Sequence, residues 1–165
     1  MSELNPLQTL LNTLPQMGTV KWIGVRPARD EPMITLTEVQ ILLDKGLDGD
    51  RFKGGRAGSP RQVTLIQQEH LGVIAACLHR EAVPAEILRR NIVVSGINLL
   101  ALKGKTFHIG DAILEFTGLC HPCSKMEKAL GAGGYNAVRG HGGITAKVIQ
   151  AGQVRLHDAV FYPAD

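Results

Sequence analysis

The sequence has few aromatic residues and a nearly balanced charge. Phe, Trp and Tyr make up 4% of its 165 residues, whereas hydrophobic residues as a whole make up 44%. We therefore predict an aliphatic core, which leaves few rings to stack on nucleic-acid bases. The 18 basic and 15 acidic residues give a net charge of +3, which is too mild an excess to indicate a nucleic-acid partner.

The chain also lacks long apolar runs and has only a few cysteines. No apolar run approaches the length that crosses a membrane, and the first residues lack the basic region of a secretory signal peptide. The three cysteines are Cys77, Cys120 and Cys123, and such an odd number indicates reduced thiols. We therefore expect a cytoplasmic protein with no membrane partner.

Short apolar segments separated by turns make up most of the chain. Strands are predicted at 19–26, 33–42, 62–66, 91–95, 105–109, 112–117, 144–150 and 153–162, and helices at 4–14, 67–80, 83–90 and 124–130. The first helix is expected to pack on the body of the protein, and Cys77 is expected to be a buried core thiol. Many short strands with few helices favour a β-rich barrel or sandwich in one domain.

The most distinctive segment is Glu115–Leu130, EFTGLCHPCSKMEKAL. An apolar run ends in Thr-Gly, then Cys120 and Cys123 follow, and a short segment with helical spacing and two lysines comes next. A thiol at the start of a helix faces unpaired backbone N–H groups, which favour the thiolate form. This segment is therefore predicted to do chemistry on sulfur, or through sulfur on a metal.

Four interpretations of the two cysteines are open from the residues alone. A redox dithiol fits the C-x-x-C spacing, although such sites come early in alternating βαβ chains and this one comes late, among hairpins. A structural zinc site needs four ligands, of which one C-x-x-C supplies half. A single nucleophilic or metal-ligating thiol needs only one cysteine with a low pKa. Two buried structural thiols would have no chemical role.

Arginine-bearing loops and turns provide candidate binding groups. The segment 44–61, DKGLDGDRFKGGRAGSPR, is predicted to be a loop that either holds an oxyanion or is a solvated surface. It lacks the G-K-[ST] ending of a Walker motif. Candidate donors to phosphate or another oxyanion in this loop are Arg51, Lys53 and Arg56. Arg89 and Arg90, followed by Asn91, form a basic pair that enters a predicted strand, and two adjacent arginines are more often a solvated edge than a site.

A second Gly-rich loop is predicted at 131–143, after the cysteine segment. It carries Arg139 and His141, and a histidine there exchanges protons near neutral pH, although a single loop histidine is commonly only solvated. If the arginine-bearing segments and the thiol meet at one end of a barrel, they form a pocket for an anionic, phosphorylated ligand.

These segments together resemble the MOSC domain, the module named for the C-terminal part of molybdenum-cofactor sulfurase. The resemblance covers the chain from about the first strand to the last and is closest to small stand-alone bacterial members. It rests on GLDGDR at 46–51, RQVTLI at 61–66, LRRNIVVSGINLLALKG at 88–104, FHIGDAILEFTGLCHPCSKME at 107–127 and RGHGGITAKVIQAGQVRLHDAV at 139–160.

The resemblance implies a mainly β fold, a distorted closed β-barrel with a few short helices. It implies a single MOSC domain at 19–163, preceded by a helical extension at 1–18. It also implies one signature cysteine, which the Pro-Cys-x-Lys context places at Cys123, with Cys120 as an additional thiol. Residues expected to bind a molybdenum–pterin cofactor are Arg51, Arg89, Arg90 and Asn91, and the second Gly-rich loop adds Arg139 and His141.

The resemblance implies two activities. In family members shown to be enzymes, the matching cysteine coordinates molybdenum of a pterin cofactor and N-hydroxylated substrates are reduced. In the original family proposal, the cysteine carries sulfur as a persulfide for metal–sulfur cofactors. A third hypothesis is a non-catalytic ligand-binding module with inert thiols.

Either activity implies partners. No flavin or iron–sulfur motif is present, so reduction of a small-molecule substrate implies a separate electron-donor protein, and sulfur transfer implies a sulfur-donor protein. Pyridoxal phosphate belongs only to the N-terminal domain of full sulfurases, and no segment of this sequence supports its binding.

Overall fold

A computed structural model describes residues 3–51 and 58–163. Within them the chain forms a β-rich body with short helices. The strands are β1 (Gly18–Val25), β2 (Ile34–Leu36), β3 (Glu38–Leu42), β4 (Gly46–Leu47), β5 (Val63–Gln67), β6 (Ile92–Ser95), β7 (Thr106–Ile109), β8 (Ala112–Leu119), β9 (Ile144–Gln150), β10 (Gly152–Arg155) and β11 (Ala159–Phe161). The α-helices are α1 (Pro6–Leu11), α2 (Gln68–Cys77), α3 (Ala85–Leu88), α4 (Ser124–Leu130) and α5 (Gly134–Val138), and a 3-10 turn covers Leu99–Leu102.

Seven strands form a closed barrel in the order β11-β7-β8-β9-β5-β6-β1. The barrel closes where β1 pairs with β11, through Gly18 opposite Val160 and Thr19 opposite Ala159. The pair β5–β6 is parallel, and the other neighbouring pairs of the barrel are antiparallel. The fold class predicted from the sequence, a mainly β closed barrel with a few short helices, is therefore confirmed.

The predicted strand at 33–42 is interrupted at Thr37, where the chain bends. Its first part, β2, pairs with β1 in the barrel sheet. Its second part, β3, lies in a separate three-stranded sheet in the order β10-β3-β4. The two halves belong to different sheets. The alternating apolar residues of this one sequence segment therefore pack in two separate strands with different neighbours.

An aliphatic core fills the barrel, as the composition predicts. Side chains that alternate along the strands point inward, and Leu65, Ile92, Phe107, Leu114 and Ile144 are at most 2% exposed. In this core, the aromatic residues among the described buried side chains are Phe107 and Phe116.

A second core lies outside the barrel wall. β5 is buried along its whole length because helices cover its outer face. There Ile66 and Val93, on β5 and β6, join an outer cluster with side chains of the helical layer: Ile74, Ala75, Leu88, Met126, Leu130, Ala137 and Val138. The helical layer thus attaches the cysteine segment to the barrel.

The predicted loop at 44–61 contains the short strand β4, which pairs with β3. Three other sequence predictions about local structure were also wrong. α1 forms, with Asn5 as N-cap accepting from Gln8 N at 2.8 Å, but none of its residues is buried, because only Leu14 beyond it packs against the core. Cys77 is exposed rather than buried, since it lies roughly 110° around α2 from the centre of the buried face. The predicted loop at 131–143 contains the helix α5.

No helix in the described part of the chain has the length and apolar character needed to cross a bilayer.

Candidate functional site

The two cysteines at the end of β8 lie in different environments. Cys120 is 5% exposed, and its backbone N–H donates to the carbonyl of Gly143 at 2.8 Å. Cys123 is exposed and occupies the N-cap position of α4, where its carbonyl accepts from Met126 N at 2.9 Å. Cys123 is therefore open to a ligand or partner, whereas Cys120 is held inside the fold.

Arg90 connects the cysteine segment to the end of α3 and to the loop 139–143 that follows α5. Its guanidinium is buried and donates Nε–H to Gly142 O at 2.8 Å, Nη1–H to Leu88 O at 2.9 Å and Nη2–H to Cys120 O at 3.4 Å. Among the described residues no carboxylate pairs with it. A buried cation compensated only by backbone carbonyls is costly and favours an anion nearby.

The charges around Arg90 identify its neighbours. Burial lowers its pKa most, and the anionic forms of Cys120 and Cys123 act in the opposite direction. Arg26 and Arg61 lower the pKa further through repulsion. Two thiols and three arginines therefore lie in one region.

The loop that follows α5 is fitted tightly against Cys120. A Cβ on Gly142 would lie 2.2 Å from Cys120 O, and one on Gly143 would lie 2.0 Å from Leu65 O. Gly143 also has a φ of 90°, a conformation that side chains strongly disfavour. Glycine at these two positions lets the loop backbone contact both the cysteine segment and the barrel wall.

Asn91 is fully buried in the barrel wall rather than turned toward the cysteines. Its Oδ1 accepts from Thr64 N at 3.1 Å and Thr64 Oγ1 at 3.2 Å, and its Nδ2 donates to Gly24 O at 3.2 Å. These bonds join β5, β6 and β1. The structure does not bring this side chain to the surface of the site.

Arg89 supports the turn after β1. It adopts a left-handed backbone conformation with φ of 57°, and its Nη1–H donates to Glu31 O at 2.6 Å. Asp30 in the same turn lies 3.6 Å from Lys125 Nζ of α4. The turn therefore lies between the basic pair and the cysteine helix.

Arg51 is exposed, and its backbone N–H donates to Arg26 O at 2.8 Å. The preceding residue, Asp50, has a buried carboxylate that accepts from the Arg26 backbone at 2.7 Å and from its guanidinium at 2.9 and 3.2 Å. This ion pair attaches the first Gly-rich loop to the end of β1. Lys53 and Arg56 lie outside the described residues.

The remaining candidates lie on the second loop. Arg139 is exposed and donates to Asn136 Oδ1 at 3.3 Å. The ring of His141 contacts that of His70 from α2 edge-on, with centroids 5.3 Å apart. Burial, followed by repulsion from His141, lowers the pKa of His70, while Glu69 opposes this change.

Sequence reasoning missed the Arg26–Asp50 pair and His70. The two charged residues are 24 positions apart, and His70 lies in a helix whose periodicity concerns only apolar residues. No group of three or more His, Cys, Asp or Glu in the described chain is arranged to hold a metal ion.

The described residues also line a cleft of about 340 Å³ on the outer side of the barrel, between β1 and α2. Its floor is apolar and includes Trp22, Leu71 and Val83, with Glu81 and Glu86 also lining it. None of the cysteines, and none of the candidate arginines within 3–51 and 58–163, lines this cleft.

Solved structures with the same fold support this architecture. The YuaD protein from Bacillus subtilis superposes with a TM-score of 0.75 at 18% identity, over 90% of this chain and 97% of that one. YiiM from Escherichia coli has a TM-score of 0.67 at 18% identity, over 89% of this chain and 70% of that one. YiiM from Geobacillus stearothermophilus has a TM-score of 0.69 at 17% identity, over 89% and 75%.

The sequence comparisons identify the family. No curated protein matches the chain. The family model of the MOSC domain matches residues 50–161, which is more than half of the chain and includes all three cysteines, Arg90 and the loop after α5. This confirms the resemblance found in the sequence, and the chain belongs to the MOSC domain family.

Proposed function

We propose that this protein binds a molybdenum–pterin cofactor beside Cys123 and reduces N-hydroxylated compounds. The observation that carries the proposal is Arg90, a buried cation with no carboxylate partner among the described residues, next to an exposed thiol. Membership of a molybdenum-cofactor-associated family supports the choice of cofactor.

The residues present fit such a group. A pterin cofactor carries phosphate, which accepts hydrogen bonds. Arg90 has five N–H donors, and its bonds to three backbone carbonyls use three of them. Arg61 adds positive charge to the same region, whereas the charge of Arg26 is balanced by Asp50, and Arg51 is exposed at the edge of this region. A thiolate at Cys123 would be the protein's ligand to molybdenum, a soft donor suited to such a metal.

The proposed reaction converts R–NHOH to R–NH2 and water, and it consumes two electrons and two protons. Molybdenum, when bound, supplies two-electron oxygen-atom chemistry. The chain's own residues bind the anionic cofactor through arginine, hold the thiol at the surface and supply a proton from His141. The electrons come from a separate donor protein, for which the exposed position of Cys123 leaves access.

Metal analysis after expression in a cofactor-competent host tests this proposal. We expect molybdenum in the wild type, reduction of an N-hydroxylated base with an artificial electron donor, and loss of both in Cys123→Ser. Cys77→Ser is the matched control, because Cys77 is also exposed but lies on α2 outside the site. Wild type without molybdenum, or Cys123→Ser with metal and activity retained, would refute the proposal.

Arg90→Lys tests the observation that carries the proposal. Lysine keeps the positive charge but cannot donate to Gly142, Leu88 and Cys120 at once, so buried carbonyls lose partners. We expect a loss of roughly 1.5–3 kcal/mol in unfolding free energy, with molybdenum content reduced in the fraction that remains folded. Unchanged molybdenum content in folded Arg90→Lys would contradict the role assigned to Arg90.

Sulfur transfer is a second candidate function, favoured by the exposure of Cys123. The thiolate would attack the outer sulfur of a donor persulfide, forming Cys123–S–SH and releasing the donor thiolate. Mass spectrometry should then detect one added sulfur atom on Cys123 after incubation with a persulfide donor, and none in Cys123→Ala. An adduct that forms equally on Cys77 would mean that the thiol is merely accessible.

A further inference from the structure

Glu127 lies one turn beyond Cys123 on α4 and makes its contacts with another helix. Its Oε1 accepts from Gly133 N at 2.7 Å and its Oε2 from Tyr135 N at 2.8 Å. Both donors belong to the start of α5, whose first N–H groups have no partner within the helix. A carboxylate at this position satisfies them and complements the helix dipole. Glu127 therefore fixes the start of α5 to α4.

The two helices are also packed closely together. A Cβ on Gly134 would lie 2.6 Å from Leu130 Cβ and 3.0 Å from Met126 O, so only glycine permits this approach. The guanidinium of Arg80 donates to Leu130 O at the end of α4. α4 and α5 consequently form one unit that has little freedom to slide.

The end of α5 leads directly to the site. His141 N donates to Val138 O at 2.7 Å, which ties the loop to the last turn of α5. In the next two residues, Gly142 O accepts from Arg90 Nε and Gly143 O accepts from Cys120 N, both at 2.8 Å. The position of α5 thus sets the position of two carbonyls that hold Arg90 and Cys120.

We propose that Glu127 is a positioning residue: by capping α5 it holds the loop 139–143 against Arg90 and keeps Cys120 closed off from solvent. Its carboxylate does not reach the reacting groups and acts through the loop. The consequence for catalysis rests on the proposed function, whereas the effect on the loop does not require any cofactor.

A local structural cap and a positioning residue make different predictions. If Glu127 only stabilises α5, its loss lowers the global unfolding free energy and leaves Cys120 protected in the native state. If it also positions the loop, its loss additionally opens the loop locally, and Cys120 becomes accessible while the barrel stays folded.

Thiol labelling of Cys120 separates these two cases. In a Cys77→Ser, Cys123→Ser background the full chain carries Cys120 as its sole thiol. The labelling rate with a disulfide reagent is measured in native buffer and in increasing urea, for Glu127 and for Glu127→Gln. Glutamine keeps the side-chain size but loses the charge and one acceptor oxygen.

We expect Glu127→Gln to raise the native-state labelling rate of Cys120 roughly tenfold, in line with the loss of a charge-assisted hydrogen bond. The increase should depend little on urea, because local opening exposes little surface. Glu86→Gln on α3, which is exposed and makes no side-chain hydrogen bond among the described residues, should leave the rate unchanged. Glu127→Asp serves as a milder second variant if the first fails to fold.

An unchanged labelling rate in Glu127→Gln, or an increase with the full urea dependence of global unfolding, would overturn the proposal. The measurement uses no cofactor, substrate or metal. Failure of molybdenum binding would therefore refute the proposed function and leave this result standing, and the reverse also holds.

Discussion

The barrel interior and the region formed by Cys120, Arg90 and the loop 139–143, called the cysteine-bearing face below, are stabilised in different ways. In the barrel, inward side chains such as Leu65 and Phe107 are aliphatic or aromatic and fully buried. At the face, backbone carbonyls of Gly142, Gly143 and Leu88 satisfy polar groups, and a buried arginine stands where an apolar side chain would be cheaper. The barrel is thus built from side-chain packing, and the face from close backbone contacts that position charge.

The largest expected effect distinguishes the two cores. Leu65→Ala removes a fully buried side chain from the barrel and should lower the unfolding free energy by about 2–5 kcal/mol. Leu130→Ala makes the same change in the outer helical core, between α4 and α5. We expect it to raise the native-state labelling of Cys120 more than Leu65→Ala does, because it loosens the helical layer first.

Urea unfolding and thiol labelling on both variants check this prediction. Equal labelling of Cys120 in the two variants would mean that barrel and helical layer unfold as one unit, and the distinction between the cores would fail.

Replacing a glycine in the loop 139–143 should have a smaller effect on the unfolding free energy. Gly142→Ala would place a Cβ 2.2 Å from Cys120 O, so the loop must shift, at a cost of roughly 1–3 kcal/mol. Gly72→Ala is the matched control, since nothing lies within 4 Å of its Cβ in α2. It should instead raise stability by roughly 0.5–1 kcal/mol. Thermal unfolding of both variants measures these opposite signs, and destabilisation by Gly72→Ala would contradict the open space around that position.

The smallest expected effect is the pH dependence of the stability that Glu127 contributes by capping α5. The backbone N–H groups of Tyr135 and Gly133 lower the pKa of Glu127 below its ordinary value of 4.5. The capping contribution is therefore fully present above pH 4.5 and is lost as pH falls through the lower pKa of the folded state. The difference in melting temperature between wild type and Glu127→Gln should be constant near neutral pH and shrink below 4.5. A difference that grows on acidification would mean that the cap favours the protonated carboxyl, which is the opposite sign.

The barrel was largely predictable because its strands carry local patterns. Alternating apolar residues located β1, β5, β6, β8 and β9 to within a few residues, and the β7–β8 hairpin followed from Gly110-Asp111. The alternation of apolar residues could not predict which strand, or which part of the core, each segment packs against. Thr37 divides one apparent strand between two sheets, and the leucines of α1 look like a buried face although the helix has none.

The site was less predictable, since its geometry depends on contacts between distant positions. The sequence marked Arg90 and Asn91 alike, yet the side chains of these two neighbouring residues bind different parts of the fold. One side chain reaches the cysteine segment and the other is buried in the barrel wall. The sequence analysis assigned no role to Glu127, because only the fold brings the start of α5 to its carboxylate.

The closing pair of the barrel has a consequence for how the protein folds. Gly18 and Val160 are 142 positions apart (160 − 18), and β1 and β11 pair at two positions, with the backbone of Val20 also bonded to that of His157 and Asp158. Bringing together such distant segments carries the largest loop-closure entropy in the molecule and returns few contacts. We therefore expect this closure to be a late folding step, completed after the strands around β9, which lies opposite in the ring, have already assembled.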